Sequence, residues 1–183
     1  FSWKAPSDDQ EKVVMLLVHD ALAGVHYQPK PIDDAFSQEV MDFFLESLDA
    51  EKRFLQQSDM DQMRAYQNQL DDALKNADLT FFNLSQTIWQ KRFAQSQELY
   101  QEILAQPLDF ASNRSFETDA EKRGYAADDA GMRAYWTDYL TYRVLMRLYD
   151  RSLAADSAGQ AKFTLGDPGF AEEEKKAREK EME

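Results

Sequence analysis

Residues 128–155 read DDAGMRAYWTDYLTYRVLMRLYDRSLAA. Met132, Tyr135, Tyr139, Tyr142, Met146, Tyr149 and Leu153 recur at alternating spacings of three and four, which is the signature of one helix face. Trp136, Leu140 and Leu148 broaden that stripe, and Asp128 stands where a helix would begin. Tyr135, Tyr139, Tyr142 and Tyr149 form a candidate partner or interdomain surface, because four tyrosines on one face could line a groove. The competing reading is core packing, in which each tyrosine buries its ring and keeps its hydroxyl at the rim. Stripes at helical spacing favour the core.

The rest of the chain agrees with that helix. Ser7 with Gln10 three residues on forms an S-x-x-Q capping box, opening a helix that extends to about Val25. Its stripe of Val14, Leu17, Ala21 and Val25, widened by Val13 and Leu16, predicts a well-buried helix. Residues 26–32 (HYQPKPI) form a connector, and Asp33 caps a second helix ending near Leu48. Phe36, Val40, Phe44 and Leu48 recur there every four residues, flanked by Met41 and Leu45. Residues 49–57 are ambiguous. Ser58 is read as the cap of a helix reaching about Lys75, with Asn76 as its stop and Asp78 capping the next. Residues 79–105 form one long helix with Phe82, Trp89, Phe93, Tyr100 and Ile103 on one face and Phe81, Leu84 and Ile88 on another. Pro107 ends it. Residues 108–127 lack periodicity, and a loop of that length tends to be functional or disordered. A linker at 156–166 leads to Asp167-Pro168, an N-cap and first-position proline pair, and then to the charged helical tail AEEEKKAREKEME.

Composition points the same way. The 183 residues include six glycines, five prolines and only 15 Val, Ile and Thr together, too little turn chemistry and β-branching for a sandwich or barrel. The expected class is all-α, an irregular multi-helix domain of about five to seven helices. The expected organisation is a helical domain over 1–166, irregular near 108–127, with 167–183 beginning a further helix. Glu181-Met182-Glu183 offers neither Gly nor cap, and acid is disfavoured at a helix C-terminus. The helix is therefore expected to continue in a longer protein.

Charge excludes some partners. Net charge is −13, a poor match for nucleic acid, which needs clustered Lys and Arg, and for an anionic membrane surface. The longest apolar run, Val13–Val18, is far short of a membrane span. With no cysteine there is no disulfide, thiolate metal site or cysteine nucleophile.

Chemistry-bearing motifs are sparse. His19 and His26 lack partners at zinc spacing. No Glu-x-x-His occurs for a di-metal bundle, and Asp59-x-Asp61 lacks the glycine of a calcium loop. The acidic pairs Asp33-Asp34, Asp71-Asp72 and Asp128-Asp129 read as caps or solvated ends. Neither G-x-S-x-G nor a glycine-rich phosphate loop is present. No catalytic, cofactor-binding or metal residue is expected.

One series of residues carries a resemblance. His26-Tyr27, Ile32-Asp33, Phe36-Ser37, Leu45, Leu48-Asp49, Phe54-Leu55 and Ser58-Asp59 are followed by Leu79, Phe82, Lys91-Arg92-Phe93, Leu104, Pro107-Leu108-Asp109-Phe110 and Trp136. In order and spacing this resembles the N-terminal helical domain of tail-specific proteases (C-terminal processing peptidases) over most of 26–150. The resemblance implies a scaffold or docking segment of a periplasmic, Gram-negative serine endopeptidase. A PDZ domain and a protease domain with a Ser/Lys dyad would lie beyond residue 183. Substrates would be proteins with nonpolar C-termini, and some members dock a lipoprotein adaptor. No family catalytic position falls in this segment, so none is carried over. Stripes left exposed would mark contacts with the downstream domains. The alternatives are a free-standing acidic helical binding module, such as a chaperone or adaptor, and a carboxylate-rich metalloprotein.

Overall fold

The structure, a computed structural model, describes residues 7–25, 27, 30–158 and 164–182. These fold into seven α-helices with no β-strand among them, so the chain is all-α. The helices are α1 (Asp8–Asp20), α2 (Asp34–Leu48), α3 (Gln57–Arg64), α4 (Leu70–Asn76), α5 (Thr80–Leu104), α6 (Asp129–Ser157) and α7 (Phe170–Met182). A π-helical turn (Ala21–Val25) continues α1, and a single 3-10 turn (Ala120–Lys122) interrupts the segment between α5 and α6. The contacts divide into two compact units, Phe1–Arg92 and Phe93–Glu183, with the boundary inside α5.

Helix starts follow local chemistry. The Asp33 carboxylate accepts from Phe36 N at 3.1 Å and Asp128 from Gly131 N at 2.8 Å, each satisfying a donor that the first turn leaves unpaired. Gln10 closes the start of α1 by accepting from Ser7 N at 3.0 Å. Asp78 accepts from Thr80 N at 2.9 Å at the head of α5.

In the first unit, α2 packs on α4, and α1 also touches α4. Met41, Leu45, Leu55, Met60, Met63, Leu79 and Ile88 form the apolar core. A buried polar network crosses it. Arg92 Nε donates to Asp59 Oδ2 at 2.7 Å, and its Nη2 donates to Asp59 Oδ1 at 3.0 Å and to Gln56 Oε1 at 2.7 Å. Such a two-pronged pair fixes orientation as well as charge. The Asp49 carboxylate accepts from Arg53 N, Phe54 N and Leu55 N at 2.9–3.0 Å, locking the turn into α3. Ser37 Oγ donates to Asp71 Oδ1 at 2.8 Å, and Lys75 Nζ donates to Asp71 Oδ2 at 2.7 Å.

In the second unit, Ile103, Leu104, Met132, Trp136, Tyr139, Leu140, Val144, Leu148 and Ala177 are buried. The α6–α7 seam is mostly ionic. Arg143 and Arg147 of α6 both pair with Glu181, and Arg151 pairs with Glu173. The buried Glu174 accepts from Leu108 N at 3.1 Å and from Arg178 Nε at 2.6 Å.

Several expectations change. α1 is not well buried: none of its residues is buried, because only one edge of it has a neighbour. The helix expected over 58–75 is two helices. Residues 65–69 form turns with i to i−3 bonds, and beyond them Asp71 reaches Ser37. Ser58 is not a cap: α3 begins one residue earlier, where Asp59 accepts from Gln56 N at 2.8 Å. Asp71 is neither cap nor solvated but buried. The apolar stripes are also out of phase. Val40, Phe82 and Phe93 face outward, while Ser37, Ser85, Arg92 and Ser96 are buried. Buried polar groups with partners hold those inward positions.

Candidate functional site

The four tyrosines of α6 part company. Tyr139 is buried, Tyr135 and Tyr142 are half-buried, and Tyr149 is 58% exposed. Phe116, from the irregular segment before α6, seats among the first three, with ring centroids 5.8 Å from Tyr135, 5.7 Å from Tyr139 and 5.6 Å from Tyr142. Arg123 covers the cluster, its guanidinium carbon 5.3 Å from the Phe116 ring centre and 5.1 Å from that of Tyr135. Both distances are within cation–π range. Tyr135, Tyr139 and Tyr142 thus anchor a loop of their own unit, and Tyr142 also borders a small cleft.

The end of α6 differs. Leu145, Met146, Tyr149 and Leu153 are all exposed, and on a helix these positions fall within about 100° of one another. The periodic stripe therefore changes partner midway, from the core to solvent.

Beside Phe116 lies a cleft of about 130 Å³ lined by Asp109, Phe110, Arg114, Asp138, Tyr142 and Leu145 among others. Arg114 Nη1 and Asp138 Oδ1 lie 2.8 Å apart across it. A second cleft, about 160 Å³, lies in the first unit between Tyr66, Phe81, Asp72 and Asp78. Both fall below the roughly 300 Å³ from which small-molecule sites usually start.

Ionisable groups are set for structure. Lys75's hydrogen bond holds the Asp71 carboxyl below the usual range, Arg151 does the same to Glu173, and Arg133 to Glu102. A general acid at neutral pH would need its carboxyl raised. Burial pushes the Tyr100 phenol up, keeping it protonated to donate to the Glu181 carbonyl. His19 sits on the flank of α1, its Nδ1 3.1 Å from Asp20 Oδ1. His26 lies outside the described residues. Among the described residues no group of three or more His, Asp and Glu could hold a metal ion, and no helix is long and apolar enough to cross a membrane.

Sequence reasoning missed Phe116, Arg123 and the arginine series Arg143, Arg147, Arg151. The arginine spacing of four was visible. The role of Phe116 was not, because an isolated aromatic in an aperiodic stretch carries no phase.

A family model described as the tail specific protease N-terminal domain matches residues 18–183. It spans the resemblance series and both aromatic and ionic clusters, and it leaves out residues 1–17.

Proposed function

The chain belongs to the tail-specific protease N-terminal domain family, and from that premise we propose that it is the non-catalytic scaffold and docking domain of a periplasmic serine endopeptidase. Its partners in the same chain would be a PDZ domain and a catalytic protease domain with a Ser/Lys dyad, both beyond residue 183. Substrates would be proteins with nonpolar C-termini, and a lipoprotein adaptor is a candidate partner. The observation carrying the scaffold reading is the exposed stripe Leu145, Met146, Tyr149 and Leu153. A contiguous apolar face on an otherwise acidic, soluble-type surface marks a contact. The ion pairs Arg133–Glu102, between α6 and α5, and Arg143–Glu181 and Arg151–Glu173, between α6 and α7, support the same role by holding helices together. Hydrogen exchange tests the proposal. Amides of 145–153 should exchange more slowly in the parent protease than in this chain alone. Equal exchange in both would remove the docking role.

A further inference from the structure

Helix α1 carries a second apolar surface. Val13, Val14, Leu16, Leu17 and Val18 are all exposed, Leu17 by 63% and Val14 by 57%. Only the edge formed by Glu11, Met15 and His19, spaced by four, is half-buried, where α1 meets α4. Five large apolar side chains on one and a half turns exceed the scatter of single exposed residues on ordinary surfaces. Residues 8–17 also lie outside the family match, so the family assignment does not account for them.

The charge around this surface says what can cover it. Asp8 and Asp9 stand exposed at the start of α1 and Asp20 at its end. Lys12, the one lysine of the helix, is exposed too, so three exposed acids, Asp8, Asp9 and Asp20, face one exposed lysine. His19 is engaged with Asp20. The outward charge of α1 is therefore acidic. A second copy would bring the same acids against themselves, since Phe1–Arg92 holds 16 acidic residues against nine Lys and Arg, and like charges across an interface are strongly disfavoured.

We infer that α1 is a docking helix for a partner protein whose contact surface combines apolar side chains with flanking basic ones, as a cationic amphipathic helix does. Apolar contact supplies the attachment, and the acids at both ends of α1 set orientation and speed of encounter.

Fluorescence anisotropy tests this with the whole chain and two labelled probes, a Leu/Lys amphipathic peptide and a Leu/Glu peptide of the same pattern. The Leu/Lys probe should bind, more weakly at high salt. Val14→Ser with Leu17→Ser should weaken it more than about tenfold, because two apolar contacts are lost. Both positions are exposed, so circular dichroism should stay unchanged. Asp8→Asn with Asp9→Asn should also weaken binding while leaving α1 helical. Equal binding of the double serine variant would make the attraction merely electrostatic and overturn the inference. So would equal affinity for the Leu/Glu probe, self-association abolished by Leu17→Ser, or partition of the chain into uncharged phosphatidylcholine vesicles. These readouts are independent of exchange at 145–153.

Discussion

The two units solve the same problem, holding short and uneven helices together, with ion pairs that differ in exposure. Each has a dry pair, Arg92–Asp59 in the first and Arg178–Glu174 in the second, but only the second adds a seam of half-exposed arginines. In the first, the Arg92–Asp59 pair is dry, both side chains below a tenth exposed, and Gln56 completes it. In the second, Arg143, Arg147 and Arg151 remain about one-third to nearly one-half exposed while they grip Glu181 and Glu173. Burial decides what such a pair is worth. A dry pair contributes little over an apolar replacement, yet losing one partner strands a charge in low dielectric. A wetter pair such as Arg151–Glu173 is screened, and its loss is small, while Glu181, 8% exposed, is shared by two arginines so that losing either one leaves the other. The first unit should therefore be brittle to single changes, and the seam of the second should yield gradually.

The largest expected effect follows from that contrast. Arg92→Met should cost about 3–5 kcal/mol in urea denaturation, because Asp59 is left buried and uncompensated. Arg92→Met with Asp59→Leu should recover much of the loss. If the single variant costs no more than a surface pair, the first unit is not organised around this network. Next comes Phe116→Ala, which removes the ring that holds the irregular segment on α6. It should cost roughly 1.5–3 kcal/mol, with hydrogen exchange accelerating through residues 108–127.

Acid provides a softer probe of the same contrast. Asp71 in the first unit and Glu173 in the second both have carboxyls held below their ordinary values. The unfolded chain then binds protons more readily, so their contribution is fully present above the unfolded value near pH 4 and is lost as pH falls through the lower folded value. A pH titration of stability should decline below about pH 4, and Asp71→Asn should flatten the decline. A decline starting near neutrality would point to a different group.

The smallest effects belong to exposed positions. Arg151→Ala should cost about 0.2–1 kcal/mol and less at high salt. Tyr149→Ser should change stability by less than about 0.5 kcal/mol, which separates the proposed docking role from any role in the fold.

Much of this was legible in the sequence. The class, the span of α6, the caps Asp33 and Asp128 and the family resemblance all came from local chemistry or residue order. The resemblance series even contained Asp49, Leu55, Asp59 and Arg92, now seen at the centre of the first unit. Phase was the part that pattern could not supply. Phe82 and Phe93, each 44% exposed, looked inward because they are apolar, while Arg92 belonged to no apolar stripe. Its burial depends on Asp59, 33 residues away, and no local period encodes that distance. α1 failed for the converse reason: a broad apolar face states a need for cover but does not say that the same unit provides it. The tyrosine stripe divided because half of it meets Phe116, contributed by a segment without periodicity.

The most direct measurement is the size and location of the native product, by immunoblot of cell fractions with an antibody raised to this chain. The account predicts a periplasmic species far larger than 21.2 kDa, with room for PDZ and protease domains. A species near 21.2 kDa would leave no space for them and would contradict the scaffold reading.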